Sequence, residues 1–206
     1  MPNPKNSLKH IPIIISKKAK TLFSNPLGVY EKYSVMVKYK IVRWGIAPIC
    51  NESYDKHWNF TSFENKVILD LGADYGSTAY YFLRKGASKV IAVEGNPQLA
   101  SKLKFNSQKF KKIVPIENFI DSSEKIENLI SDYHPDLVKV DIEGYEKLLT
   151  NIDVAKVKEW LIEAHSKELY LALVKFYLKH GFSIRSFPYI NNLMVIHAYK
   201  GIKEKR

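Results

Sequence analysis

Residues 67–78 have the sequence VILDLGADYGST, an apolar run that leads into two glycines. A run of this kind suits a strand that is buried on both faces of a parallel sheet. We expect a strand at the apolar run, a tight turn at Gly72 and Gly76, and a helix over residues 77–85. In a doubly wound sheet such a turn lies at the carboxyl edge, where ligands bind.

The segments that follow alternate between apolar runs and amphipathic stretches, which predicts a parallel sheet with helices on both faces. The predicted strands are 89–93, 112–116, 136–141 and 159–164, and the predicted helices are 97–109, 123–131 and 167–179, the last capped by Ser166. Two closing segments, 182–187 and 193–199, are expected to pair in antiparallel fashion. The predicted fold class is therefore α/β: a doubly wound, mostly parallel, Rossmann-like sheet with a C-terminal antiparallel hairpin strand.

Positive charge is concentrated at the two ends of the chain. The net charge is +11, and residues 1–43 hold nine basic residues and one acid, whereas residues 200–206 hold four basic residues and one acid. The stretch between them therefore holds equal numbers of basic and acidic residues and has no net charge. Basic ends of this kind favour RNA or another anionic surface as a partner, and a solvated tail without a partner is the alternative.

The change of pattern near residue 65 divides the chain into three predicted parts. These are a basic N-terminal extension over residues 1–64, a ligand-binding domain over 65–200 and a basic tail over 201–206. Within the extension we expect a strand at 34–43, and a segment at 51–64 that packs beside the sheet or over the ligand cleft.

A cytoplasmic location is expected from cysteine content and hydropathy. Cys50 is the single cysteine, and the sequence contains no run of about 20 apolar residues as a membrane helix requires. A lone cysteine cannot form an internal disulfide and is typical of a reducing compartment.

Acidic residues surround the glycine turn. Asp70 and Asp74 flank Gly72, and Glu94 ends the next predicted strand, where an acid can accept hydrogen bonds from ribose hydroxyls. The glycines are spaced Gly-x-x-x-Gly rather than in the Gly-x-Gly-x-x-Gly pattern that admits a pyrophosphate. Two carboxylates would repel a pyrophosphate and would suit a nucleoside that carries an ammonium and a sulfonium. S-adenosylmethionine (SAM) is therefore the predicted ligand, and a turn without a ligand is the alternative.

Polar groups also follow the fourth and fifth predicted strands. Asp141 closes the fourth strand, Glu143 follows it in the loop, and His165 follows the fifth strand. Asp141 is predicted to hold the ammonium of the ligand or to take a proton from a nucleophile. His165 is a candidate base, oriented by Glu143 or Glu163. The alternatives are helix capping for the two acids and a structural role for the histidine. Lys139 shares a strand face with Asp141 and is expected to pair with it.

Two stretches resemble a known group of enzymes. The run from Asp70 to Thr78, followed by Glu94-Gly-Asn-Pro97, resembles the SAM site of class I methyltransferases. The element VDIEGYE at 140–146, with Glu163-Ala-His165 downstream, resembles the FkbM-type branch of that family. The resemblance covers roughly residues 66–199 and implies methyl transfer to oxygen, commonly to a hydroxyl of a sugar or of a small natural product.

The resemblance also implies roles for particular residues. Residues that would line the methionine portion are Asp70, Gly72, Asp74 and Gly76; Glu94 would bind the ribose; Asn118 and Phe119 would bind the adenine; and Ser77, Gly95, Asn96 and Asp141 complete the predicted cofactor set. The sequence departs from the family at two of these positions, because Asp74 stands where Asn is usual and Gly95 where Pro is frequent. The N-terminal extension is outside the resemblance.

Several alternatives stay open at this point. No resident metal is predicted, although Asp141, Glu143 and His165 form a mixed oxygen and nitrogen set that could hold a divalent ion. An RNA methyltransferase is the first alternative function, with a basic arm carrying Tyr30, Tyr33, Tyr39 and Trp44. The Asn/Asp-Pro-Pro-aromatic element of base-amine methylation is absent after the fourth strand, which counts against this alternative, and methylation of a ribose hydroxyl stays open. A SAM-binding module without catalysis is the second.

Overall fold

Seven strands form a single sheet in the part of the chain that the computed structural model describes, residues 54–188 and 194–201. The strands are β1 (Val67–Leu71), β2 (Lys89–Glu94), β3 (Ile113–Glu117), β4 (Leu137–Val140), β5 (Glu159–Ala164), β6 (Ser183–Pro188) and β7 (Met194–Tyr199). Their order in the sheet is β3-β2-β1-β4-β5-β7-β6. Strands β1 to β5 are parallel, and β7 runs antiparallel to both β5 and β6. The predicted fold class, including the antiparallel hairpin, is confirmed.

Helices connect the parallel strands and begin at local capping signals. They are α1 (Tyr54–Trp58), α2 (Ser77–Arg84), α3 (Pro97–Ser107), α4 (Ser123–Tyr133) and α5 (Lys167–Lys179), with 3₁₀ helices at Tyr145–Asn151 and Val154–Lys156. The Asn96 side chain accepts hydrogen bonds from two backbone N–H groups at the start of α3, and Ser166 accepts one from Leu169 at the start of α5. These caps satisfy N–H groups that have no partner inside the helix.

The chain reverses direction across the sheet between β1 and β4. From β1 it proceeds outward through β2 and β3, and it then returns to the other side of β1 to form β4 and β5. In a sheet with such a reversal, the usual ligand position is a crevice at the carboxyl edge, beside the loops after β1 and β4.

Strands β4 and β5 are buried along their whole length. Every residue of β4 and β5 is buried, including Lys139, Glu159 and Glu163. Apolar side chains on the strands pack against the helices, as Trp160 does against Tyr177 of α5 at a ring-centroid distance of 5.7 Å. Charged residues at such positions require partners, and for Lys139 and Glu163 these partners lie at the carboxyl edge.

Residues 54–64, which we assigned to the N-terminal extension, pack on the sheet. The compact unit that contains the sheet comprises Glu52–Arg206. Within it His57, Trp58 and Phe63 are buried, and the Tyr54 hydroxyl donates a hydrogen bond to Ser77 Oγ at 2.9 Å. The helix α1 is thus part of the surroundings of the glycine turn.

Some predictions fall outside the described residues. They are the strand at 34–43, the aromatic residues of the basic arm and most of the basic tail. Among the helices that the structure describes, none combines the length and the apolar composition required to cross a bilayer.

Candidate active site

The glycine turn after β1 is held tightly against its neighbours. Gly72 and Ala73 donate backbone hydrogen bonds to Val93 O of β2, both at 3.0 Å. Gly72 has a φ of 77°, and a Cβ atom there would lie 1.7 Å from the carbonyl oxygen of Asp141. Only glycine is compatible with this backbone approach. The turn therefore brings the ends of β1, β2 and β4 together.

Asp70 lies beneath the turn and is fully buried. Its Oδ2 accepts a hydrogen bond from the Thr78 hydroxyl at 2.6 Å, and its Oδ1 is 3.1 Å from the Lys139 ammonium. Lys139 also donates to Gly72 O at 2.7 Å and lies 3.5 Å from Asp141, so the expected pair with Asp141 is present. Asp70 and Lys139 thus contact the turn from below, and the role expected for Asp70 beside the cofactor stays a prediction.

Lys139 keeps its charge in this buried position. Burial by itself would lower the pKa of the ammonium, but the Asp70 and Asp141 carboxylates raise it above its ordinary value. The Trp58 ring lies 5.5 Å from the ammonium nitrogen and provides a further favourable contact.

Asp74 and Glu94 form the acidic rim of the turn. Glu94 Oε2 accepts a hydrogen bond from the backbone N–H of Asp74 at 2.8 Å, and its Oε1 accepts one from Asn96 at 2.8 Å. Asp74 has a left-handed φ of 52°, which Asp and Asn tolerate better than other residues with a side chain. Burial and the nearby Glu94 carboxylate raise the pKa of Asp74 to about 6.

The other residues predicted for the cofactor follow β1, β2 and β3 at the same edge. A Cβ atom at Gly95 would lie 2.7 Å from the Phe119 ring, so the loops after β2 and β3 touch at this point. Asn118 donates its backbone N–H to Glu94 O at 3.0 Å. Phe119 is 51% exposed and meets the Tyr145 ring edge to face at 5.4 Å. Ser77 and Asn96 are already engaged, with Tyr54 and with the start of α3 respectively.

The loop after β4 is organised by Glu146, which is fully buried. Its carboxylate accepts hydrogen bonds from the backbone N–H groups of Ile142 at 3.0 Å and Gly144 at 2.9 Å. The same carboxylate contacts Nδ1 of His165 at 2.9 Å. Glu146 therefore joins the turn after β4 to the end of β5.

This contact corrects our expectation that Glu143 or Glu163 orients His165. Both of those carboxylates lie farther from the ring, at 3.5 and 3.9 Å from Nε2, and the side chain of Glu143 is 87% exposed. The Glu146 hydrogen bond raises the pKa of His165 to about 9, against the effect of burial and with support from Asp141 and Glu143. The ring consequently carries a positive charge at neutral pH.

Glu163 and His57 extend the polar cluster under α1. Glu163 Oε2 lies 2.8 Å from Nε2 of the fully buried His57, and Glu163 Oε1 lies on the His165 side at 3.9 Å. One ligand atom each from Asp141, Glu163 and His165 falls within 4.8 Å of the others. Sequence reasoning missed both Glu146 and His57, although the repeated acids of Glu143-Gly-Tyr-Glu146 were a visible signal for the first.

One sequence relative matches the chain over part of its length. No protein-family profile matches the chain. Uncharacterized protein 158B of Sulfolobus islandicus rod-shaped virus 1 is 35% identical over 105 residues, which is 50% of this chain and 62% of that protein. The aligned region thus spans less than two thirds of the relative.

Several solved structures share the architecture. Precorrin-6y C5,15-methyltransferase of Geobacter metallireducens superposes with a TM-score of 0.55 at 19% identity, over 69% of this chain and 84% of its own. The fibrillarin pre-rRNA processing protein of Methanococcus jannaschii gives 0.53 at 18% identity, over 69% and 70%. The tRNA methyltransferase TrmK of B. subtilis gives 0.52 at 18% identity, over 68% and 62%. Together with the strand order and the antiparallel β7, these similarities show that the chain has the class I methyltransferase fold.

Proposed function

We propose that this protein transfers a methyl group from SAM to a hydroxyl oxygen, most simply a hydroxyl of a sugar or other small-molecule acceptor. The observation that carries the proposal is the convergence of an acid-rimmed glycine turn with Asp141 and the His165–Glu146 pair. Both lie at the carboxyl edge of the sheet, on the two sides of its crevice.

The residues of the turn fit a cationic nucleoside. Gly72 and Gly95 let neighbouring loops pack closely around the turn. A Cβ atom at Gly72 would overlap Asp141, and one at Gly95 would overlap Phe119. Asp74 and Glu94 supply negative charge beside them. Each Glu94 oxygen accepts one backbone hydrogen bond, from Asp74 or from Asn96, and retains capacity for another, as ribose hydroxyls require.

The proposed contacts follow the order of the loops. Gly72, Asp74 and Gly76 would hold the methionine portion, Glu94 with Gly95 and Asn96 the ribose, and Asn118 and Phe119 the adenine. When bound, SAM supplies a methyl group whose bond to sulfur breaks as the acceptor oxygen bonds to the carbon, with the electron pair remaining on sulfur.

Asp141 is the group proposed to accept the hydroxyl proton. Its side chain is 27% exposed and lies where β4 meets the glycine turn. Both ring nitrogens of His165 face carboxylates, so the role proposed for His165 is to position Asp141 across a distance of 3.6 Å. The enzyme's main contribution would be to align the acceptor and exclude water.

A transfer assay with tritiated methyl groups tests the proposal. Purified full-length protein is incubated with labelled SAM and separate carbohydrate, small-molecule, RNA and protein fractions. We expect label in the carbohydrate or the small-molecule fraction, and we expect Asp141→Asn to lower kcat more than it weakens SAM binding. Glu124→Gln, at an acid in the first turn of α4, is the matched control. SAM binding without transfer to any fraction would support the non-catalytic module instead.

RNA is a second candidate acceptor because one segment of the described domain, residues 97–113, is strongly basic. Residues 97–113 contain five lysines and no acid. Lys104, Lys109, Lys111 and Lys112 are exposed, and Phe105 beside them is 49% exposed. Lys102 of the same segment lies over the ring of Tyr75, in the glycine turn, at 5.8 Å.

Ribose is a sugar with free hydroxyl groups, so the same methyl transfer to oxygen would serve an RNA substrate. RNA-modifying proteins among the structures with this fold are consistent with that candidate. RNA affinity should then fall steeply with salt, and each exposed lysine replaced by alanine should reduce the slope by about one. A salt-independent, weak association would remove RNA from consideration.

A further inference from the structure

Three side chains at the ends of β4 and β5, those of Asp141, Glu163 and His165, lie close together without hydrogen bonds between them. Nε2 of His165 is 3.6 Å from Asp141 Oδ1 and 3.9 Å from Glu163 Oε1. These distances exceed those of hydrogen bonds. These two distances fall within the separations of roughly 3 to 4 Å between ligands that share a cation at about 2.1 Å from each. All three ligand atoms lie within 4.8 Å of one another, so the set would have to close slightly around an ion.

The groups behind these atoms are arranged as supports for ligands. Glu146, fully buried, holds Nδ1 of His165 at 2.9 Å, and His57, also fully buried, holds Glu163 Oε2 at 2.8 Å. Histidines that bind metals almost always donate the other ring N–H to a carboxylate or carbonyl, and ligating carboxylates are themselves hydrogen-bonded. Glu146 and His57 therefore contact His165 Nδ1 and Glu163 Oε2, and the other atom of each group, His165 Nε2 and Glu163 Oε1, lies nearer Asp141.

The charge balance at this edge also favours a cation. Five carboxylates contact either the Lys139 ammonium or the His165 ring: Asp70, Asp141, Glu143, Glu146 and Glu163. Lys139 forms ion pairs with Asp70 and with the Oδ2 atom of Asp141, whereas Oδ1 of Asp141 faces His165. Negative charge that is removed from water requires compensation.

We infer that Asp141, Glu163 and His165 form a divalent cation site on the acceptor side of the crevice. Two carboxylate oxygens with one imidazole suit a cation that accepts both ligand types, and Mn²⁺ is the probe that does so. The cation binds Nε2 of the neutral ring, so its binding releases the proton that this nitrogen otherwise carries. This revises the expectation of no resident metal, and it places Glu163 rather than the exposed Glu143 among the ligands. The role of the cation rests on the proposed function: it would bind the acceptor oxygen and make its proton more acidic, and the Asp141 oxygen that does not bind the cation would accept that proton.

Binding of Mn²⁺ to the chelator-treated full chain tests the inference without any turnover. We expect loss of the free-ion electron paramagnetic resonance signal at one Mn²⁺ per chain, and spin-echo modulation from one coordinated imidazole nitrogen. Glu163→Gln should weaken Mn²⁺ binding at least tenfold, whereas Glu168→Gln, at an exposed acid in the first turn of α5, should leave it unchanged.

Calorimetry with S-adenosylhomocysteine on the same samples separates the two proposals. Binding of S-adenosylhomocysteine without binding of Mn²⁺ overturns the cation site and leaves the proposed function standing. Binding of Mn²⁺ without binding of S-adenosylhomocysteine overturns the proposed function and leaves the cation site standing. Absence of nitrogen modulation in the wild-type complex overturns the site however the Glu163 variant folds, as does equal Mn²⁺ affinity in Glu163→Gln and wild type.

Discussion

Replacing Glu146 with glutamine should destabilise the fold and change its pH dependence. The carboxylate accepts from two backbone N–H groups and from His165, all within 3.0 Å, inside a fully buried environment. Glutamine offers one acceptor oxygen, so its amide nitrogen must face one of these donors. The turn after β4 and the position of His165 both depend on this side chain.

The magnitude follows from two contributions. A buried backbone donor without an acceptor costs about 1–3 kcal/mol. The rise in the pKa of His165 from 6.5 to about 9 corresponds to about 3 kcal/mol, and we assign Glu146 about half of it because other carboxylates and solvent share the effect. The total is a loss of about 2.5–4.5 kcal/mol at pH 6.

The sign of the pH dependence is fixed by the direction of the shift. Since the folded pKa lies above the ordinary value, the histidine contribution is fully present below about pH 6.5 and is lost as pH rises through about 9. The difference between wild type and Glu146→Gln should therefore shrink to about 1–3 kcal/mol at pH 10.

Urea unfolding at both pH values, in buffer with a chelator, measures these free energies. Glu143→Gln is the control, because its exposed side chain should change stability by less than about 0.5 kcal/mol. A loss for Glu146→Gln no larger than that of the control, or one that is equal at pH 6 and pH 10, would refute the reasoning.

Three further predictions concern the glycine turn. Because the pKa of Asp74 is raised to about 6, SAM affinity should fall about tenfold between pH 7 and pH 5; calorimetry of Asp74→Asn should show a flat profile, and an unchanged slope would contradict this. Lys139→Met should cost about 3–5 kcal/mol in urea unfolding, because it leaves buried carboxylates without their cation; near-wild-type stability would show that the pair is dispensable. Gly72→Ala should lower the melting temperature well beyond Gly181→Ala, since both have a φ near 77° but only the first Cβ would meet the Asp141 carbonyl; equal effects would remove the close approach as the cause.

Elements with local signals could be predicted from the sequence. Asn96-Pro97 and Ser166 mark helix starts through contacts within three residues, and the structure has helices at Pro97–Ser107 and Lys167–Lys179. The apolar run before Gly72 likewise predicted a strand that the structure places at Val67–Leu71. In each case the determining interactions lie within a few residues along the chain.

Contacts between distant segments could not be predicted in the same way. His57 precedes its partner Glu163 by about a hundred residues, and Glu146 reaches His165 across the end of β5. Asp70 carries the same carboxylate whether it faces a ligand or a buried lysine, so its burial depends on Lys139 arriving from β4. Tertiary packing decided these roles, and the sequence pattern at each position allowed more than one.

The central claim is that the acid-rimmed turn binds a cationic nucleoside, and calorimetry with SAM tests it most directly. Glu94→Gln and Glu117→Gln form a matched pair, because the two glutamates are register neighbours on β2 and β3 and Glu117 is exposed on the outer strand. We predict one SAM bound per chain, at least tenfold weaker binding in Glu94→Gln and unchanged binding in Glu117→Gln. No heat with SAM, beside clear binding of a nicotinamide dinucleotide, would contradict the account.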